Sequence, residues 1–367
     1  MKVLFVFGTR PEGIKMAPII KEIEKRKDLE SYTCVTGQHR QMLDQVLEIF
    51  DIEPDYDLNI FKKGQSLTDV TTKTLLGLED ILDELKPDIL LVQGDTTTVF
   101  AAALAAFYKK IKIGHVEAGL RSGNLYSPYP EEANRKLTGV LSNYHFAPTE
   151  SNRQNLLREG YDDKDIFITG NTVIDALKYS VKEDFLFDDE ILNNLDYNKD
   201  VVLLTAHRRE NWGEPMENIF SAIRQVVLER ENIEIVFPIH LNPIVRNTAK
   251  KYFSDLDRVH LIEPLSYLPF SNLMARVKFV VTDSGGVQEE APALGKPVLV
   301  LRTETERREG VEAKTAKLVG TKSQDVYDSI ISLLDDKNLY EEMAKAVNPY
   351  GDGHAAKKIV DILEKMN

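Results

Sequence analysis

Short runs of β-branched and aromatic residues alternate with longer stretches of helical periodicity along almost the whole chain. The runs predict strands at Val3–Phe7, Tyr32–Thr36, Ile89–Gln93, Lys112–Val116 and Tyr144–Ala147. A second series follows at Val201–Thr205, Ile233–Pro238, Val259–Ile262, Phe279–Thr282, Val298–Leu301 and Ala316–Val319. Between the runs, Pro11–Lys25, Leu67–Leu85 and Met216–Glu229 carry apolar residues at amphipathic helical spacing. Runs such as ILLVQ are apolar at consecutive positions, the mark of parallel strands covered on both faces. Alternating strands and helices predict right-handed crossovers and therefore parallel sheets. The acidic, Asn-rich stretch 182–200 separates the two series, as a solvated helix and loop, as the joint between two halves, or as both. A breaker cluster, Pro349-Tyr350-Gly351-Asp352-Gly353, precedes a last helix at His354–Lys365.

Length agrees with two halves, because 367 residues make roughly two domains at about 100–200 residues each. With 43% hydrophobic residues, the composition excludes a disordered or collagen-like chain. The 46 basic and 59 acidic residues leave a net charge of -13, which repels nucleic-acid backbones and anionic membranes unless cations cluster locally. The single cysteine, Cys34, has no internal disulfide partner and suits a reducing compartment. No apolar run approaches the roughly 20 residues of a membrane span. The opening MKVLFVFG is too short for a signal-peptide core. The expectation is a cytoplasmic protein with no nucleic-acid or membrane partner.

In open parallel sheets, ligands bind beyond the carboxyl ends of the strands, so the residues that follow each strand matter most. After the first strand stands Gly8-Thr9-Arg10-Pro11-Glu12-Gly13-Ile14-Lys15. It nearly matches a P-loop, but the lysine comes one position late and no Ser or Thr follows to hold magnesium. What remains is a tight turn, a proline at the helix start and two cations near a positive helix end, an arrangement that favours an anion. An ordinary βα turn with exposed basic residues is the plain alternative. After Ile89–Gln93 come Gly94, Asp95 and three threonines, where Asp95 or Thr96 would cap a helix. Glu117 closes the apolar run Gly114-His115-Val116, which is harder to explain as solvated surface. Glu131 and Arg135 follow at i and i+4, the spacing of a structural ion pair.

The second series repeats the pattern. His207-Arg208-Arg209 follows Val201–Thr205, as a solvated basic cluster or as a site. Phe279–Thr282 runs into Asp283-Ser284-Gly285-Gly286, and two glycines opening a helix let backbone amides approach a phosphate. Arg302, Arg307 and Arg308 follow Val298–Leu301. No GxGxxG, HExxH, GxSxG or Cys/His metal pattern is present. His145 and His260, at predicted strands, read as structural.

The strings GTRPEGIKMAPII, QGDTTT, HVEAGLRS, PEEANR, TAHRREN, PIHLNP, DSGGVQEE and TERREGVEA occur in this order from end to end. Together they resemble the non-hydrolysing UDP-N-acetylglucosamine 2-epimerases. The resemblance implies an α/β fold of GT-B architecture, two Rossmann-like domains with parallel sheets facing a central cleft. Domains are expected at 1–170 and 171–352, with a C-terminal helix at 353–367 packing back on the first. It implies catalytic roles for Asp95, Glu117, Glu131 and His207. Substrate contacts are implied for Arg10, Lys15, Arg135, Phe270, Ser284, Gly285, Gly286, Glu290 and Arg307. A second, regulatory UDP-N-acetylglucosamine site in some members maps to Gln38, His39, Gln41, Gln65, Arg208 and His240. Two places depart from the family pattern. Gly64 replaces an arginine found in regulated relatives, and Thr303, Glu304 and Arg308 differ within the RDTTERPE-like loop. The implied partners are UDP-N-acetylglucosamine, UDP-N-acetylmannosamine and UDP, in a homodimer without cofactor or metal.

The chemistry implied is inversion at C2, a carbon with no adjacent carbonyl to stabilise a carbanion. Expelling UDP first, then removing the C2 proton, gives a 2-acetamidoglucal that can be re-protonated from the other face. Such a route needs cations and helix amides at the departing pyrophosphate and carboxylates at the sugar. A hydrolysing epimerase, a GT-B glycosyltransferase and a nucleotide-sugar sensor without turnover remain as alternatives.

Overall fold

The run Val3–Phe7 is fully enclosed because it becomes the middle of a sheet. In the computed structural model, which describes residues 1–37 and 40–366, β1 (Lys2–Phe7) is flanked on both sides by parallel partners. The other strands of this sheet are β2 (Glu30–Val35), β3 (Tyr56–Asp57), β4 (Ile89–Gln93), β5 (Lys112–Val116), β6 (Tyr144–Ala147) and β7 (Ile166–Ile168). They lie in the order β3-β2-β1-β4-β5-β6-β7, all parallel. Between β1 and β4 the strand order reverses direction, the switch point at which such sheets open a crevice for ligands.

The second sheet is built alike. It contains β8 (Asp200–Thr205), β9 (Ile233–Pro238), β10 (Val259–Ile262), β11 (Phe279–Thr282), β12 (Val298–Val300) and β13 (Ala316–Leu318). Their order is β10-β9-β8-β11-β12-β13, again parallel throughout, with the switch between β8 and β11. On one face of this sheet, Phe237 and Phe279 pack with aliphatic residues from neighbouring strands against Phe220 and Phe253 of the covering helices.

The predicted strands reappear within two residues at each end, and helix Leu67–Leu85 matches its expected bounds. Two strands escaped the pattern, β3 and β7, which are only two and three residues long. Neither carries enough alternation to register.

Two compact units divide the chain, Met1–Tyr179 with Tyr350–Asn367, and Ser180–Pro349. The sequence reading set the boundaries at 170 and 353. Helix Thr172–Ser180 belongs largely to the first unit because Asp175 accepts the amides of Ala355 and Ala356 at 3.1 and 3.0 Å, capping the helix Ala355–Lys365. That helix also holds Arg26 through Asp361 and Glu364, at 2.7 and 3.1 Å. Stretch 182–200 lies within the second unit, where Phe187 and Leu192 are buried and the Arg276 guanidinium covers the Phe187 ring. Among the described residues, no helix is long and apolar enough to cross a membrane.

Candidate active site

Gly8 and Thr9 join β1 to the helix Arg10–Ile23, with Pro11 in its first turn. Glu12, in that turn, folds back to accept the amides of Gly8 and Thr9 at 2.7 and 3.1 Å. The carboxyl is buried, one oxygen has no hydrogen-bond partner, and burial pushes its pKa up to about 7. Glu12 therefore shapes the turn rather than acting in it. Lys15, one turn further along, points its ammonium at Glu117 instead of into open solvent.

The ends of β4 and β5, which are neighbours, carry Asp95 and Glu117. Thr96, not Asp95, caps the helix Thr97–Tyr108, accepting from Val99, so the Asp95 carboxylate is left for another partner. That partner is Arg135, whose Nη2 donates to Asp95 Oδ2 while Nη1 donates to the Glu117 carbonyl at 2.5 Å. One guanidinium thus links both strand ends, a planar fork doing what a lysine could not. The expected pairing of Arg135 with Glu131 does not form. Among the described residues, neither Glu131 nor Arg10 makes a side-chain hydrogen bond or ion pair. Asn134, beside Arg135, donates to the Asp95 carbonyl at 3.0 Å.

Glu117 sits at φ +63°, left-handed backbone that a non-glycine residue adopts at a cost. Its buried carboxylate accepts from Lys15 at 2.5 Å, from Asn171 at 3.2 Å and from the Gln93 amide. Donors from the helix after β1, from β4 and from the loop before helix Thr172–Ser180 converge on this carboxylate. Two residues on from Glu117, Gly119 has φ +89°, and a Cβ there would lie 2.3 Å from the Asn152 carbonyl oxygen. The close approach of these two backbones requires glycine.

His145 is structural, as expected, and so is His115. His115 Nε2 lies 2.7 Å from the Gly94 carbonyl, and burial together with the Arg135 charge lowers its pKa to about 3. Burial lowers His145 to about 4. The Cys34 thiol is enclosed and pushed up to about 12 by burial, which makes it unreactive.

In the second unit, Asp283 at the end of β11 organises the loop after β8. Its Oδ2 accepts the amides of His207 and Arg208 at 2.8 and 2.9 Å and the Asn211 side chain at 3.2 Å. Its Oδ1 lies 3.1 Å from His207 Nδ1. Burial would raise its pKa, but His207 and these amides outweigh it and hold the carboxyl low. An acid beside Nδ1 constrains the ring. His240 stacks on His207 with centroids 5.6 Å apart.

Helix Gly285–Ala293 follows Asp283 and Ser284. The Arg307 guanidinium covers its first residue, since a Cβ on Gly285 would meet Arg307 Cζ at 3.0 Å. Arg307 is fixed by Glu289 at 2.9 Å. Glu290 faces Gly286, where a Cβ would lie 3.5 Å from its Oε1. Ser284 places its carbonyl on Gln288, at 3.0 Å, and Gln288 in turn accepts from Thr305 at 2.8 Å. Phe270 is half-buried on the helix Tyr267–Arg276.

The residues expected at a regulatory site fall in several places. Gln38 and His39 lie outside the described residues, and Gln41 is in the helix Arg40–Ile49. Gln65 accepts the Lys62 amide at 3.1 Å in the first unit, whereas Arg208 and His240 belong to the second. Sequence reasoning assigned no role to Gln93, Asn171, Asp283 or Glu12. Asp283 had a readable signal, an acid closing an apolar strand as Glu117 does. Asn171 had none, because it follows the three-residue β7.

Two parallel α/β units with charged side chains gathered at their strand ends define a protein of GT-B architecture. The family model for UDP-N-acetylglucosamine 2-epimerase matches residues 21–364. The UDP-N-acetylglucosamine 2-epimerase of Bacillus subtilis is 56% identical over 99% of this chain and 95% of its own length. A crystal structure of the Neisseria meningitidis UDP-GlcNAc 2-epimerase bound to UDP-GlcNAc is 52% identical over all of both chains, with a TM-score of 0.88. The S. aureus MnaA structure with UDP is 49% identical over all of this chain and 96% of its own, also with a TM-score of 0.88. The chain belongs to the UDP-N-acetylglucosamine 2-epimerase family.

Proposed function

We propose that this protein interconverts UDP-N-acetylglucosamine and UDP-N-acetylmannosamine by inversion at C2, without net hydrolysis. The observation that carries the reading is the pair of acids on adjacent strand ends, Asp95 and Glu117, with Arg135 bridging the Asp95 carboxylate and the Glu117 backbone carbonyl. A site that merely bound a nucleotide sugar would have no use for two acids held this firmly beside each other.

In the proposed reaction, UDP departs from C1 as the C2 proton is lost, leaving a 2-acetamidoglucal. Asp95 and Glu117 take and return that proton, with Glu131 in support, and such help is worth about 100- to 10,000-fold. His207, Arg10 and Lys15 offset charge on the departing diphosphate, and the amides opening helix Gly285–Ala293 bind it. Re-addition of UDP after protonation from the opposite face completes the inversion. Substrate at a second site formed by Gln38, His39, Gln41, Gln65, Arg208 and His240 is proposed to activate turnover. The His207–His240 stack supports this reading, because it couples a regulatory residue to a catalytic one. His240→Ala should turn a sigmoidal rate curve hyperbolic.

The test is incubation with UDP-N-acetylglucosamine in deuterium oxide. Deuterium should appear at C2 of both nucleotide sugars, with little free sugar. Release of N-acetylmannosamine in step with UDP would identify the hydrolysing reaction instead, and absence of exchange would reject epimerisation.

A further inference from the structure

The loop after β12 holds an acid in an unexpected place. Glu306 Oε2 accepts from Arg302 at 2.7 Å, and Oε1 accepts from Arg307 at 2.6 Å. Arg208 Nη2 approaches the same Oε1 at 3.5 Å. That oxygen also lies 3.3 Å from where a Gly285 Cβ would be, at the opening of the helix. Burial would raise the Glu306 carboxyl, but Arg307 outweighs it and the pKa falls to about 2. Glu306 is therefore fully ionised at neutral pH.

Two of these arginines have another acid. Arg307 is held by Glu289 at 2.9 Å, and Arg302 by Glu210 at 2.8 Å. Neither guanidinium would be released if Glu306 swung away. Glu306 itself keeps 35% of its side-chain surface exposed, whereas Glu289 keeps 4%. Glu289 is an enclosed support, whereas Glu306 is the partly exposed acid of the cluster.

We propose that the Glu306 carboxylate is an internal stand-in for a diphosphate, filling the arginine cradle beside Gly285 and leaving it when a nucleoside diphosphate binds. The proposal rests on the nucleotide-sugar reading above and adds a competing anion to that site. Whenever no diphosphate is bound, Glu306 offsets part of the charge on three arginines, and it lowers affinity for the ligand it resembles. A product whose charge is replaced on departure leaves faster than one that must abandon a bare cradle.

The experiment is calorimetric titration of the full chain with UDP and, separately, with uridine. In Glu306→Gln, and likewise in Glu306→Ala, UDP should bind at least about tenfold more tightly while uridine binds as before. Unchanged or weaker UDP binding in both variants, with thermal stability retained, would overturn the proposal by making Glu306 a support for the arginines. Arg307→Ala separates the two levels. If it binds UDP as the unaltered protein does, the cradle is not the diphosphate site, and the underlying reading falls together with the proposal. If Arg307→Ala loses UDP and Glu306→Gln gains none, the stand-in alone is refuted.

Discussion

Lys15 and Glu117 stand 102 positions apart in sequence, yet the lysine ammonium lies 2.5 Å from the Glu117 carboxylate. The pair joins the helix after β1 to the end of β5, and it is buried at the glutamate end. Removing one partner from a buried ion pair costs about 3–5 kcal/mol, because a charge is left uncompensated. Glu117 keeps two amide donors, from Gln93 and Asn171, so Lys15→Met should cost about 3 kcal/mol, the low end of that range. Combining it with Glu117→Gln should cost less than the two single changes added, since the second removes the stranded charge. Urea unfolding of the four proteins in that cycle measures the coupling.

Arg135 is the position where a conservative change should fail. Lysine keeps the positive charge but has no planar fork, so it cannot reach the Asp95 carboxylate and the Glu117 carbonyl together. Arg135→Lys should lower kcat by about a hundredfold, the lower bound for a positioned acid–base group. KM should change much less, because what is lost is the placement of the Asp95 carboxylate against the Glu117 strand end. A large rise in KM at unchanged kcat would show that Arg135 holds substrate instead.

Much of this organisation was legible in the residue pattern, and the gaps have physical causes. Strands β4, β5, β9 and β11 were readable because burial on both faces leaves consecutive apolar residues with sharp ends. Asp95, Glu117 and His207 stood out as polar groups placed where those runs stop. The partners were not readable. Spacing on one helix favoured Glu131 for Arg135, yet the fold supplied Asp95 from a neighbouring strand end, and tertiary proximity overrode the local i,i+4 preference. Asp283 and Glu306 act through residues distant in sequence, so their roles emerge only when the strand order is known.

Glu12 gives a pH dependence with a definite sign. An ordinary glutamate titrates near 4.3, and this one is raised to about 7 in the folded protein. The folded state thus holds a proton that the unfolded chain has lost, and stability falls as pH rises from about 4.3 through 7. The two buried histidines act oppositely. Lowered to about 3 and 4, His115 and His145 contribute stability above about 6.5 that is lost as pH falls. Comparing Glu12→Gln with the unaltered protein isolates the glutamate, since glutamine can still accept from Gly8 and Thr9. The variant should gain relative stability steadily between pH 5 and pH 8, by about 3 kcal/mol in total. A pH-independent difference in melting temperature would mean that Glu12 is ionised throughout.

Asp283 makes the most exacting prediction, because one carboxylate carries both the loop and the histidine. Asp283→Ala leaves the His207 and Arg208 amides and the Asn211 side chain without their acceptor, at about 1–3 kcal/mol for each donor that stays buried. Asp283→Asn is the sharper probe, since its carbonyl oxygen can still take those amides while nothing negative faces His207 Nδ1. The fold should persist and turnover should drop, as steady-state kinetics beside a thermal melt would show. The stability loss in Asp283→Asn should also follow pH in one direction. The native carboxyl is held below its unfolded value of about 3.9, so its contribution is complete above that pH and disappears as acid protonates it. The gap between variant and unaltered protein should therefore be constant above pH 5 and close below pH 4, as read by denaturant midpoints across that range.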